Sequence, residues 1–369
     1  MIYNNHSIDI KVWNYLKNLK NKARIPNALL FYGDEGAGKE ACSIEFAALI
    51  NCQSESNNFA CGECRSCNKI NNNNHEFIHY ILPLPKGIIS SKKDDISKSF
   101  NEKTLSQYSS QLKYKLQDPY HQIKIDGANT ILINSIRSIK KQIYTSIDKE
   151  QWRTIIIWEA EKLCIPNNEA ANSILKILEE PPERTIFILV TSKADLLLQR
   201  IKSRCLSLFF PKKDKGSFNE LLKYESSINL YKLLNGNIKA FNRMDKQEID
   251  NILSFIKYYN QIIVDEKEIL SMSLISKFAK FKKEVLNIYI ESIKHYYNDL
   301  AKIKLDPNSS ELTFISLHKE YRKLNQKYNL DWSNAINIID EFENQISNQN
   351  ENLYLINLFN KLGRHLKGT

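Results

Sequence analysis

Glycine and proline are scarce, with ten and nine in a chain of 369 residues. An all-β architecture needs many tight turns, so this scarcity favours helices. No stretch approaches the ~20 continuous apolar residues of a membrane span, so no transmembrane helix is expected. The first residues, MIYNNHSIDIKVWNYLK, lack a basic start followed by an apolar block and do not read as a secretory signal. The expected location is therefore the cytoplasm. The seven cysteines are an odd number, which in a chain without such a signal argues against a disulfide framework.

What is present is ordinary for a globular protein: 42% hydrophobic and 25% charged residues, which excludes a disordered chain. At ~100–200 residues per domain, the length suggests two or three domains. The net charge of +10 fits an anionic neighbour such as nucleic acid, and equally a chain simply rich in lysine.

Residues 8–20 carry Ile8, Val12, Tyr15, Leu16 and Leu19 at helical spacing. Apolar runs at 27–32, 75–82, 153–158, 185–191 and 207–210 read as strands, the second less clearly than the rest. Between them, 39–50, 131–144 and 167–180 read as helices, the last stopped by Pro181-Pro182. Strands alternating with helices imply a mostly parallel sheet. The stretch 86–118, rich in Lys, Ser and Asp, reads as a long mobile insertion. Short helical patterns fill 213–245, with a turn at Gly236. Long helices without strand signals run from about 249 to 367, as in a helical bundle.

Gly33-Asp34-Glu35-Gly36-Ala37-Gly38-Lys39 fits G-x-x-x-x-G-K, follows a strand and opens a helix, the context of a phosphate-binding P-loop. Gly33, Gly36, Gly38 and Lys39 are the candidate phosphate-binding residues. The next residue should be Ser or Thr, whose hydroxyl binds Mg²⁺, but it is Glu40. The acidic residue expected at the end of the 153–158 strand is replaced by Trp158, with Glu159 beside it. Indole cannot hold a magnesium ion, so Mg·ATP is not expected to bind productively.

Cys52, Cys61, Cys64 and Cys67 lie within sixteen positions, two of the gaps being C-x₂-C. Four thiolates suit tetrahedral Zn²⁺ and leave no open position for a catalytic water, so a structural zinc is favoured over an Fe–S cluster. Cys42, Cys164 and Cys205 read as small buried or semi-buried residues. In Ser203-Arg204-Cys205, a planar guanidinium is suited to meet phosphate oxygens in a neighbouring subunit. From spacing alone, a solvated or salt-bridged arginine is the simpler reading.

NALLFYGDEGAGKE, the four-cysteine module, EAANSILKILEEPPERTIFILVTS and Ser203-Arg204-Cys205, in that order, resemble the delta-prime subunits of bacterial DNA polymerase III clamp loaders, of the AAA+ class. The resemblance is close over 1–210 and rests beyond that on length and helical character. It implies an α/β P-loop (AAA+) domain at 1–210 with the zinc module inserted at 52–67, a small helical lid domain at 211–247, and an all-α collar domain at 248–369. The gamma or tau motor subunits share the zinc module and the long motif but keep GK[ST] and an acidic residue at position 158. Glu40 and Trp158 therefore point to a non-hydrolysing stator.

The resemblance further implies that Arg204, with Ser203, reaches ATP bound by the adjacent motor subunit. The partners would be gamma/tau-like and delta-like subunits, with the sliding clamp and primed DNA reached through the assembly and no membrane involved. The residues before the triplet, Leu198-Gln199-Arg200-Ile201, depart from the family's Leu-Pro-Thr-Ile. The rival readings are an active gamma/tau-like ATPase and a nucleic-acid-binding module built on the cysteines and basic charge. The cysteine module has only Arg65 and Lys69 nearby and no interleaved aromatics for base stacking.

Overall fold

The computed structural model describes residues 1–3, 8–54, 58–145, 151–222, 228–242, 244, 246–264, 283–345 and 351–367. The chain forms two compact units. One comprises Met1–Leu221 with Asn237–Asn242, the other Leu222–Gly236 with Arg243–Thr369.

The first unit is built on a five-stranded sheet of β1 (Ala28–Gly33), β2 (Ile78–Ile81), β3 (Arg153–Trp158), β4 (Thr185–Thr191) and β5 (Leu206–Phe210). The strand order is β2-β3-β4-β1-β5, and every pairing is parallel. All five apolar runs of the sequence are thus strands. Alternate residues serve opposite faces, because strand side chains have a period of two. Leu29, Phe31, Ile156, Trp158, Ile186 and Ile188 enter one core with helices α1 (Ile10–Asn21), α2 (Lys39–Asn51) and α3 (Arg65–Asn71). Ala28, Leu30, Ile155, Ile157, Phe187 and Leu189 enter the other with α5 (Ile133–Gln142) and α6 (Glu169–Glu179). A parallel sheet covered on both faces explains why its central strands β3, β4 and β1 are buried almost throughout rather than alternating, while the edge strand β5 alternates.

The expectation of a mobile insertion at 86–118 is overturned. Residues Ile96–Ser99 form a 3₁₀ turn and Glu102–Gln117 form a helix, α4, capped by the Asn101 side chain on the Thr104 N–H. The polar composition was misleading because α4 buries few apolar residues, chiefly Leu112 and Leu116. Beside them it buries Lys115 completely, and that charge has its own partners.

The second unit is helical in its described residues, with long helices at Lys246–Val264, Lys283–Leu305, Trp332–Gln345 and Glu351–Lys367. The helical reading of 265–282 falls outside the described residues. Its core is aromatic: Tyr259, Tyr296, Tyr297, Tyr321 and Trp332 are fully buried. Their polar ends are largely matched, as in Tyr259 with Tyr297 at 2.8 Å and the Tyr296 hydroxyl donating to Asn260 Oδ1 at 2.8 Å. Pairing of this kind offsets the cost of burying a hydroxyl.

Candidate functional site

The phosphate loop joins β1 to α2, as its sequence context requires. Gly33, Gly36 and Gly38 all have positive φ, at 138°, 75° and 89°. A Cβ on Gly36 would lie 2.4 Å from Asn237 Oδ1 and 2.8 Å from the Ile238 N, so only glycine admits the close approach of that segment. The Lys39 ammonium is buried and donates to the Gly33 carbonyl at 2.8 Å and to the Asp34 carbonyl. Burial pulls it down to about 8, against the attraction of Glu40.

Glu40 faces two further lysines. Lys115 Nζ, from α4, donates to Oε2, and Lys239 Nζ donates to Oε1 at 2.9 Å. Lys115 also donates to the carbonyls of Pro119 at 2.9 Å and His121 at 2.8 Å, so all three of its N–H groups are used. Burial by itself would raise the Glu40 carboxyl, but the two ammonium groups outweigh it and hold it well below the usual carboxylate range. The space left around the loop is small. One cleft, of about 20 Å³, is lined by Gly36, Gly38, Lys39, Glu40, Pro119 and Tyr120 among others. Its neighbour, of about 50 Å³, reaches Trp158, Glu159 and Thr191.

Trp158 ends β3 with its ring buried, stacked on Tyr80 at 5.0 Å between centroids. Its Nε1 donates to Ser43 Oγ at 3.3 Å. Indole thus stands at the strand end where a carboxylate is expected from the sequence. Glu159 is paired with Lys162 at 2.7 Å, and Glu161 accepts from the Thr191 hydroxyl at 2.5 Å.

The four clustered cysteines converge. Their Sγ atoms all lie within 4.8 Å of one another. Three of the separations are 4.0 Å (Cys52–Cys64), 3.9 Å (Cys61–Cys67) and 3.8 Å (Cys67–Cys52). Tetrahedral ligands at ~2.3 Å from a metal stand ~3.8 Å apart, so the set can hold a metal ion. Amide N–H groups aim at the sulfurs, from Cys61 to Cys52 Sγ at 3.2 Å and from Cys64 to Cys61 Sγ at 3.2 Å, which favours thiolates. Cys64 also caps the helix Arg65–Asn71. The N-terminal ammonium donates to the Ala60 carbonyl at 2.7 Å, tying the chain start to this loop. The other three cysteines are buried or half-buried.

Ser203 and Arg204 sit just before β5. Arg204 Nε donates to Glu179 Oε1 at 2.5 Å and Nη1 to the Arg200 carbonyl at 2.8 Å, while Nη2 completes a fork on Glu179. Its side chain remains 30% exposed. Ser203 Oγ donates to the Arg200 carbonyl at 3.2 Å, so the hydroxyl closes the local turn.

Residues 8–214, more than half of the chain, match the family described as DNA polymerase III, delta subunit. The chain belongs to this family. Among curated relatives of the family's kind, DNA polymerase III subunit delta' of Bacillus subtilis (strain 168) is 26% identical over 225 residues, 61% of this chain and 54% of that protein. Subunit tau of the same organism is 27% identical over 190 residues, 52% of this chain and 25% of that protein. Subunit gamma of Buchnera aphidicola subsp. Schizaphis graminum is 24% identical over 340 residues, 83% of this chain and 80% of that protein. The chain spans about half or less of the length of the first two. No described helix is long and apolar enough to cross a membrane.

Within this family member, the structure gathers Gly33, Gly36, Gly38 and Lys39 into one loop and the four cysteines into one cluster. It sets Ser203 and Arg204 beside α6. Sequence reasoning missed Lys115, Lys239 and Glu179. Glu179 lies in the long LEEPP motif, so its interest was legible there. Lys115 and Lys239 carry no local signal, since a lysine destined for burial looks like any other until its counter-charge is in place.

Proposed function

We propose that the chain is a delta-prime-like subunit of the DNA polymerase III clamp loader, a stator that does not hydrolyse ATP. The observation that carries this reading is Glu40, which replaces the magnesium-binding hydroxyl and is committed to Lys115 and Lys239. Trp158 supports it independently by removing the acidic strand end. On this reading the AAA+ domain covers 1–210, a lid 211–247 and a collar 248–369. The segment Asn237–Asn242 packs with the first unit although it lies in the lid by sequence. Cys52, Cys61, Cys64 and Cys67 hold a structural zinc.

Arg204, supported by Ser203, is the residue offered to ATP on a neighbouring gamma/tau-like motor during loading of the sliding clamp onto primed DNA. The fork with Glu179 keeps the guanidinium oriented while leaving it partly exposed, and Glu179 would release it to a phosphate. Arginine is suited to this because its rigid donors match phosphate oxygens bidentately.

Two measurements test the reading. The purified chain should show no steady ATP turnover with Mg²⁺, and steady turnover would instead make it a motor of the gamma/tau kind. In the reconstituted loader, Arg204→Ala should leave assembly intact and slow ATP hydrolysis by ~10³-fold or more if it acts as other arginine fingers do. Unchanged hydrolysis would remove Arg204 from that role.

A further inference from the structure

The stretch from α4 to His121 has no role in the reading above, yet it ends at the phosphate loop. Lys115 is fully buried there, and Pro119 and Tyr120 line the cleft directly over Gly36, Gly38 and Lys39. The stretch is held from two sides. The Tyr3 hydroxyl donates to the Lys115 carbonyl at 2.8 Å, and Lys115 Nζ bonds the carbonyls of Pro119 and His121. From the opposite direction Asn237 and Ile238 approach Gly36, and Lys239 reaches Glu40. A working phosphate loop gathers positive charge around an exogenous phosphate. Here the positive charge of Lys115 and Lys239 gathers around a carboxylate of the chain itself, and Lys39 is bonded to the loop's own carbonyls.

We propose that residues 115–121 are a built-in occupant of the phosphate loop, and that Glu40 is the internal anion that fastens them, together with Lys239, in place of a nucleotide phosphate. This rests on the non-hydrolysing reading but says more than loss of a magnesium ligand. Glu40 is a positioning residue that turns a loop designed for a ligand into a permanently closed structural joint. The 86–118 stretch then has a purpose, which is to deliver Lys115 and the Pro119–Tyr120 cover. It follows that removing the carboxylate exposes a latent polyphosphate site. Lys39, Lys115 and Lys239 would then outnumber Glu35, the carboxylate that also lines the cleft, and cations this far from water seek a counter-anion.

The test uses the full chain with its metal, inorganic pyrophosphate as probe, calorimetry for binding, and hydrogen exchange at residues 113–121. In the wild type, pyrophosphate should bind weakly or not at all and leave exchange unchanged. Glu40→Thr should speed exchange at 113–121 by at least about tenfold and bind pyrophosphate at least about tenfold more tightly than wild type. Lys115→Met keeps the carboxylate, so it should speed the same exchange without any gain in pyrophosphate binding. This second variant decides the matter if Glu40→Thr does not fold. Wild-type binding as tight as that of Glu40→Thr, or unchanged exchange in Lys115→Met, would overturn the proposal. ATP turnover by the wild type would overturn the stator reading instead, and neither readout here measures turnover.

Discussion

The cysteine cluster and the glycine loop lie in the same unit, and each gathers groups of a kind that can bind a ligand, but they differ in what those groups face. The cysteine sulfurs face one another at metal-ligand spacing, with amide N–H groups behind them. Four thiolates in so small a space need a positive centre. At the phosphate loop the chain supplies everything itself: Lys39 bonds Gly33 and Asp34, and Glu40 bonds Lys115 and Lys239. One site has the geometry to be completed by an ion from outside, while the other is completed by distant parts of the same chain. A ligand motif is therefore informative about geometry, while the charges around it determine whether it still needs the ligand.

The sharpest break in that contrast is metal removal. A Cys61→Ser/Cys64→Ser double variant should lose bound zinc and several kcal/mol of stability, lowering the melting temperature of the first unit by ~10 °C or more. Elemental analysis and calorimetry check this together. No metal in the wild type, or an unchanged melting curve, would place the cysteines among ordinary core residues.

Next in size is Glu40→Ala, which takes from Lys115 and Lys239 the carboxylate they share. Breaking a fully buried pair from one side costs about 3–5 kcal/mol; Glu40 keeps 20% and Lys239 13% exposure, so a loss of about 2–3 kcal/mol and a matching fall in the urea midpoint are expected. A loss below about 1 kcal/mol would mean that solvent or the backbone carbonyls replace Glu40 with ease.

Mild acid should separate the two sites. The Glu40 carboxyl is held below its ordinary value by Lys115 and Lys239, which outweigh the opposing effect of burial. Its stabilisation is therefore fully present above the unfolded carboxylate range, near ~4.3, and is lost only as pH falls through the lower folded value. Thiolate ligands must stay deprotonated, so the metal leaves at higher pH. Between about pH 7 and pH 5, a chelating dye should report metal release while exchange at 113–121, corrected for intrinsic rate, stays slow. Loosening of 113–121 in step with metal release would show that the two sites are coupled.

The smallest effect belongs to Arg204→Ala in the isolated chain. Its ion pair with Glu179 is partly exposed, at 30% and 46% for the two side chains. Such pairs contribute about 0–1 kcal/mol, so the melting curve should barely move. A large loss would recast Arg204 as a structural residue rather than one held ready for a partner.

Much of the first unit was legible in the sequence. The central strands β3, β4 and β1 are buried almost throughout because both sheet faces are covered there, and that pattern needs no tertiary knowledge to read. Gly33 to Lys39 and the four cysteines were legible because phosphate loops and metal knuckles are short-range geometry, set by backbone freedom and ligand spacing over a few residues. The replacements at Glu40 and Trp158 were visible for the same reason.

The insertion was not legible. Residues 86–118 look solvated by composition, and only the folded chain brings Lys115 across 75 positions of sequence to Glu40. Lys239 comes from 199 positions away. Burial of a lysine is favourable only when a counter-charge and acceptor carbonyls wait at the destination, and no local pattern records that they do. The sequence by itself determined a glycine loop between strand and helix in which Glu40 follows the lysine, and an apolar strand that ends in Trp158. The tertiary structure decided what fills the loop, because long-range electrostatic pairing depends on where the chain folds rather than on what stands next to what.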